Sequence, residues 1–281
     1  MKNSNKLAEL KPITKWVGGK RKLLPELNNL KPKTYNKYYE PFLGGGAFLF
    51  DLMPKKAIIN DQNSELINVY KVVKSSPDEL IKLLKKHEEN NSKEYYLSLR
   101  SVDRNGLINE MSNVERAARI IYMLKVDFNG LYRVNSKGQF NVPYGKYKEP
   151  KIVDIENIMN VSNYFNNNNV SILEGDFSDA IKSAQNNDFV YFDPPYIPLN
   201  MTSNFTAYTA NGFNEKDQIR LKDTFFNLAN KGVNVMLSNS DTELTRELYK
   251  DALIHEVKVG RSINSDTSKR GKVNEVIITS Y

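Results

Sequence analysis

The chain alternates short apolar runs with stretches whose apolar residues recur every three or four positions. The runs Tyr38-Tyr39, Ala57-Ile58-Ile59, Val170-Ser171-Ile172-Leu173, Phe189-Val190-Tyr191-Phe192 and 233–237 predict buried strands, and the helical patterns between them predict an α/β sheet. The first four strands end at or near an acid: Glu40, Asp61, Glu174 with Asp176, and Asp193. Carboxyl ends of strands are where open α/β sheets bind ligands. Further on, 215–229 predicts a helix closed by Gly232, and the alternating segments 255–259 and 273–279 predict an antiparallel pair.

Between Asp61 and Asp193 helix signals dominate at first. Ser76-Pro77-Asp78-Glu79 predicts a capping box with Pro at the first helical position, followed by Leu80, Leu83 and Leu84 on one face. Ser112 and Glu115 predict a second box ahead of Ala117, Ile120, Ile121 and Leu124. The segment 128–148, rich in Asn, Gly, Tyr and basic residues, predicts a hairpin or loop, and the run 166–169 of four asparagines a loop. The chain thus divides into a body of residues 1–64 and 156–281 and an inserted helical and hairpin subdomain, 65–155.

Composition adds a direction. Forty Lys and Arg against 33 Asp and Glu give a net charge of +7, which favours polyanionic partners. The chain has no cysteine, which excludes disulfides, thiolate nucleophiles and zinc–thiolate sites, and its two histidines, His87 and His255, argue against a histidine metal centre. No metal is expected. No apolar run is long enough for a signal or a membrane span, so a cytoplasmic protein is expected.

Three constellations carry chemistry. Asp193-Pro194-Pro195-Tyr196 follows an apolar run, at a strand's carboxyl end with a proline-stiffened backbone. One reading is a turn whose prolines simply end the strand. The other is a binding site for an amino group, with Asp193 and the Pro194 carbonyl accepting its hydrogens and Tyr196 stacking on the ring that carries it. The second constellation, Glu40-Pro41-Phe42-Leu43-Gly44-Gly45-Gly46-Ala47-Phe48, reads as strand, glycine turn and helix. A dinucleotide fingerprint needs Gly or Ala where Leu49 stands, so the turn suits a smaller ligand with an amino-acid end and a nucleoside. Asp61, at the next strand's end, can accept bonds from a ribose diol or be an ordinary surface acid. The third, Lys15-Trp16-Val17-Gly18-Gly19-Lys20, holds the only tryptophan, a residue usually found in the core but flanked here by lysines and paired glycines.

Taken together and in this order, these motifs resemble those of the Dam-type DNA adenine methyltransferases of the alpha-ordered group, nearest to the DpnII-type GATC methylases. The resemblance extends over Phe128-Asn129-Gly130-Leu131-Tyr132-Arg133-Val134-Asn135, over Phe140 to Lys148, and over Asn204-Phe205-Thr206-Ala207-Tyr208 after the DPPY motif. It implies the class I S-adenosylmethionine-dependent fold: a mostly parallel seven-stranded sheet with an antiparallel C-terminal strand and an inserted target-recognition subdomain. It implies S-adenosyl-L-methionine as cofactor, held by Trp16, Lys20, Phe42, Gly44, Gly46, Asp61, Asp176 and Asp193, with Asp193, Pro194, Pro195 and Tyr196 at the reaction centre. It implies double-stranded DNA as partner and a base flipped out of the duplex. Arg133 would contact guanine, Asn129 and Leu131 neighbouring bases, and Lys15, Lys146, Tyr147 and Lys148 flanking backbone or bases, with Phe128 and Asn135 of the same hairpin also binding DNA. Apart from the resemblance, Arg261, Lys269, Arg270 and Lys272 form a basic connection that reads either as an exposed charged loop or as a contact to phosphates. Phe128 stands where some members carry Tyr and keeps stacking without a hydroxyl; Lys146 stands where relatives carry Arg, which affects phosphate contact more than base choice. A monomer is expected, either orphan or sharing its system with a restriction endonuclease without a stable complex. Methylation of RNA adenine or of a protein glutamine, and a catalytically silent DNA-binding protein, are the alternatives.

Overall fold

A computed structural model of the chain describes residues 9–198, 213–260 and 272–281. The expected 204–208 segment and the basic residues Arg261, Lys269 and Arg270 lie outside the described residues, as does the side chain of Lys272. Among the described residues seven strands form: β1 (Tyr38–Glu40), β2 (Lys56–Asp61), β3 (Asn169–Glu174), β4 (Phe189–Phe192), β5 (Asn234–Ser240), β6 (Leu253–Gly260) and β7 (Lys272–Thr279). The helices are α1 (Leu24–Leu30), α2 (Ala47–Leu52), α3 (Ser64–Ser75), α4 (Pro77–Glu89), α5 (Lys93–Ser101), α6 (Asn113–Val126), α7 (Ile155–Asn167), α8 (Phe177–Ala180), α9 (Glu215–Asn230) and α10 (Glu243–Leu248).

The strands form one sheet in the order β3-β2-β1-β4-β5-β7-β6. Pairings β1/β2, β1/β4 and β4/β5 are parallel, and β7 runs antiparallel to both β5 and β6. This is the mostly parallel α/β sheet of a class I methyltransferase, with the expected antiparallel end. The chain leaves β1 toward one edge and returns to β4 on the other side of it, so the strand order reverses between the parallel neighbours β1 and β4. Ligands of open α/β sheets bind at the carboxyl ends of strands at such a switch point.

By its internal contacts the chain forms two compact units. One comprises the chain through Lys20 with Gly44–Lys55 and Asp61–Gly175; the other comprises Arg21–Leu43, Lys56–Asn60 and the chain from Asp176 on. In the second unit all four residues of β4 are buried, and α9 places Leu221, Phe225 and Leu228 on one stripe in a core with Val190, Phe192, Val235, Leu237, Val276 and Ile278. In the first unit α6 is buried nearly all round, and Phe50, Tyr70 and Phe165 pack ring on ring. Both bonds of the Ser112–Glu115 capping box are made.

Three local expectations are corrected. Ser76 starts α4 with Pro77 behind it, but its side chain caps nothing. Its N–H closes α3 on Val72 O, its backbone (φ −143°, ψ 49°) lies outside the extended geometry of an N-cap, and its hydroxyl pairs with that of Ser75. The 166–169 asparagine run is not a loop: Asn166 and Asn167 finish α7 and Asn169 opens β3. Their amides make this possible, Asn166 Nδ2 donating to Ser162 O and Lys74 O, and Asn168 Nδ2 to Tyr164 O. Strand β3, read as buried, stands at the sheet's edge with only Val170 buried and Leu173 exposed. A short apolar run has the same pattern in an edge strand as in a central one.

Candidate functional site

The DPPY motif leaves the buried strand β4 directly. Asp193 is half-buried, Pro194 buried, and the next three residues are each tied by one side chain. Gln218 Nε2 of α9 donates to Pro195 O (2.9 Å), the Tyr196 hydroxyl donates to Glu275 Oε2 of β7 (3.0 Å), and Ile197 N donates to Asn239 Oδ1 of β5 (3.0 Å). The backbone is thus fixed by two prolines and three anchors from different elements. Burial and the charge of Asp193 push the Tyr196 and Tyr191 phenols well above their usual range, so both remain protonated. Sequence reasoning missed Gln218, Asn239 and Glu275. A readable signal existed only for Asn239, as a polar residue extending the apolar run that became β5.

Nearby in the same unit, Phe42 stacks on Phe177 (5.2 Å between centroids) and meets Phe192 and Phe213 edge-on. Asp176 caps α8 by accepting from Ser178 N, and its two oxygens take a bidentate pair from Arg220 (2.7 and 2.8 Å), whose guanidinium lies 4.3 Å over the Phe177 ring. Arg220 holds this carboxyl far below the usual carboxylate range.

The glycine turn is fastened within the other unit. Gly44 N donates to Asp61 Oδ2 (2.9 Å), Asn63 N donates to Asp61 Oδ1 (2.9 Å), and the Tyr70 hydroxyl donates to Gly44 O (3.0 Å). Burial raises the Asp61 carboxyl and these N–H bonds oppose it. Gly44 (φ +50°) and Gly46 (φ +68°) take left-handed backbone, and a Cβ on Gly44 would come within 3.2 Å of the Trp16 ring. Trp16 is half-buried, neither core nor free, and stacks on Tyr132 (4.9 Å, 25°). Lys20 Nζ donates to Gly18 O.

The 128–148 segment is a hairpin. Val134 bridges Phe140, Asp127 bridges Tyr144, and Asn141 N donates to Arg133 O. Phe128 (53%), Asn129, Arg133, Lys146, Tyr147 (40%) and Lys148 are exposed and Leu131 is half-buried. The exposed basic and aromatic groups share one structure: Lys15 Nζ lies 5.7 Å over the Tyr147 ring, and the Lys15 stem packs so close to Gly130 that a Cβ there would clash at 2.8 Å. Asn135 turns inward, its Oδ1 accepting from Lys137 N and Gln139 N and its Nδ2 donating to Gln139 Oε1. It shapes the turn. Among the described residues no helix is long and apolar enough to cross a membrane.

The comparison with known proteins agrees with this geometry. Residues 16–263 match the family described as D12 class N6 adenine-specific DNA methyltransferase. The chain is 61% identical over 272 residues to the Type II methyltransferase M1.LlaDCHI of Lactococcus lactis subsp. cremoris, covering 97% of this chain and 96% of the relative. It is 44% identical to the Type II methyltransferase M.MjaIII of Methanocaldococcus jannaschii (97% and 100% covered) and 35% identical to the DNA adenine methylase of Escherichia coli K12 (94% and 92%). A match over nearly the whole chain, with the DPPY turn fixed at a strand end and the glycine turn intact, places this enzyme in the D12 class of N6 adenine-specific DNA methyltransferases.

Proposed function

We propose that the chain moves the methyl group of S-adenosyl-L-methionine onto N6 of adenine within GATC in duplex DNA. The observation that carries this reading is the DPPY turn, anchored through Pro195, Tyr196 and Ile197 at the carboxyl end of β4. Adenine N6 is a poor nucleophile because its lone pair is delocalised into the ring. The Asp193 carboxylate and the Pro194 carbonyl accept its two hydrogens, which favours a pyramidal nitrogen with its lone pair aimed along one line. Tyr196, its hydroxyl committed to Glu275, offers its ring to the extruded base.

Trp16, Lys20, Phe42, Gly44, Gly46, Asp61, Asp176 and Asp193 are the residues we assign to the methyl donor. The glycine turn fits such a ligand: its two left-handed glycines carry no Cβ to hold a ligand off the backbone, and each Asp61 oxygen keeps a lone pair after accepting one of the N–H bonds described above. When bound, the donor supplies a methyl group already made electrophilic by its sulfonium. The protein's own work is to align, to desolvate and to place charge.

The 65–155 segment serves as the target-recognition subdomain in this reading. Arg133 reads guanine, Asn129 and Leu131 neighbouring bases, Phe128 and Tyr147 offer stacking faces, and Lys15, Lys146 and Lys148 take phosphates. Asn135 contributes by holding the turn. The Type II names of two relatives support a role as the modifying partner of a restriction endonuclease. Single-molecule sequencing of DNA from a methyl-free host expressing the chain tests this. N6-methyladenine at every GATC is expected; modification at a different sequence removes the GATC assignment, and no modified DNA removes the reading.

A further inference from the structure

The inner strand of the hairpin is gripped by side chains that the reaction chemistry leaves unexplained. Asp103 Oδ2 accepts from Phe140 N (2.7 Å), Arg104 NH2 donates to Phe140 O (2.6 Å), and the Tyr96 hydroxyl (2.8 Å) and Arg100 NH1 (3.0 Å) both donate to Val142 O. Asp103 is itself fixed by Arg104 and by Arg119, a buried guanidinium whose Nε is held by Leu99 O. Residues 140 and 142 are therefore clamped on either side of Asn141. The one residue between them faces the other way in its bonding. Asn141 Oδ1 accepts from Arg133 Nε (2.7 Å) and Asn141 O from Arg133 NH2 (3.2 Å).

An exposed arginine ordinarily samples many rotamers, and ordering a long side chain at binding is costly. Here two bonds from one residue fix the plane of the guanidinium before DNA arrives. A half-buried carboxylate shared by two arginines, one of them buried, is also a costly arrangement unless every bond is made. Its use for a backbone N–H of an otherwise exposed hairpin is a specific one.

We propose that Asn141 is a positioning residue that orients Arg133 for base reading, and that Asp103, with Arg104, Arg119 and Tyr96, sets the register of the strand that carries Asn141. The proposal rests on the reading of Arg133 as a base contact. Specificity at that base pair then depends on residues that touch no DNA base, the closest of them eight positions from Arg133 and the farthest on a helix.

The test is kcat/KM of the full-length enzyme on GATC duplexes and on duplexes changed at one base pair at a time. Arg133→Ala is expected to lower discrimination about tenfold or more at a single base pair. Asn141→Ala is expected to lower it about tenfold at that same pair and to add nothing in the Arg133→Ala background. Asn141→Asp keeps the acceptor and is expected to keep discrimination, with a uniform rise in KM for DNA from the added charge. Asp103→Asn is expected to lose discrimination at that pair too, and Tyr96→Phe, which removes one hydroxyl and leaves the fold, is expected to show a smaller loss of the same kind. If Arg133→Ala loses discrimination and Asn141→Ala does not, or if Asn141→Ala weakens all base pairs alike or adds to Arg133→Ala, the positioning role is overturned. If Arg133→Ala leaves discrimination intact at every pair, the base-contact reading fails and the proposal with it.

Discussion

In the proposed reading the DPPY turn and the 128–148 hairpin carry the two halves of the reaction, chemistry and address, and they are built in opposite ways. The turn emerges from a strand with no exposed residue, and three successive residues are each held by a side chain from a different element. The hairpin presents Phe128, Asn129, Arg133 and Tyr147 to solvent, has only isolated bridges of its own, and is steadied from beneath by α5 and the residues that follow it. Aligning a weak nucleophile requires a few acceptors fixed closely, which the interior of a sheet provides. Reading bases requires groups that can reach into a groove, so order has to be supplied indirectly.

The sharpest way to break this contrast is Asp193→Ala. Turnover is expected to fall about 10²–10³-fold with duplex affinity preserved in gel-shift titration, because the hairpin is untouched. Normal turnover would dissolve the division. Asn239→Ala probes the anchors instead: Ile197 N loses its buried acceptor, which is expected to cost about 1–3 kcal/mol in urea unfolding and to lower kcat while leaving KM for DNA in place. A rise in KM with unchanged kcat would mean that the anchor serves DNA binding and not the turn. Lys148→Ala belongs to the other half. It is expected to weaken binding to every duplex alike and to reduce the slope of log affinity against log salt by about one. A sequence-dependent loss would move Lys148 from phosphates to bases.

The smallest effect concerns the hairpin's base. Asp127 is fully buried where the hairpin begins, its Oδ1 accepting from Leu131 N while its Oδ2 has no hydrogen-bond partner. Burial lifts its carboxyl from 3.8 to about 7, opposed by the Leu131 and Gly130 N–H groups and by the charge of Lys15. A carboxyl whose folded pKa is raised holds its proton longer in the folded state than in the unfolded one. Its contribution to stability is therefore full below about 4 and declines as pH rises to about 7. Asp127→Asn is expected to lack this decline, so that relative to the parent it gains stability as pH rises from about 4 to about 7 in melting experiments. An unchanged difference across that range would show that Asp127 is ionised in the fold throughout.

Much of the catalytic half was legible in the sequence. The strands at 57–59 and 189–192, the turn of Gly44 and Gly46, and the acids Asp61 and Asp193 at strand ends follow from apolar period, from glycine's tolerance of positive φ and from proline's fixed φ. These are properties of neighbouring residues, so a linear reading recovers them. The same kind of reading misplaced Ser76, which the end of α3 had already claimed, and treated the edge strand β3 as buried.

What tertiary structure alone decided is the set of partners. Gln218, Asn239 and Glu275 lie 23, 42 and 79 positions from the DPPY residues they hold, Asp103 lies 37 positions from Phe140, and Trp16 meets Tyr132 across most of the first half of the chain. No local propensity encodes such pairs. They exist because folding buries backbone and side-chain polar groups that must each find a partner, and which partner is near is settled only when the strands and helices are packed. The sequence determined which residues could perform the chemistry; the packing decided how firmly each is held.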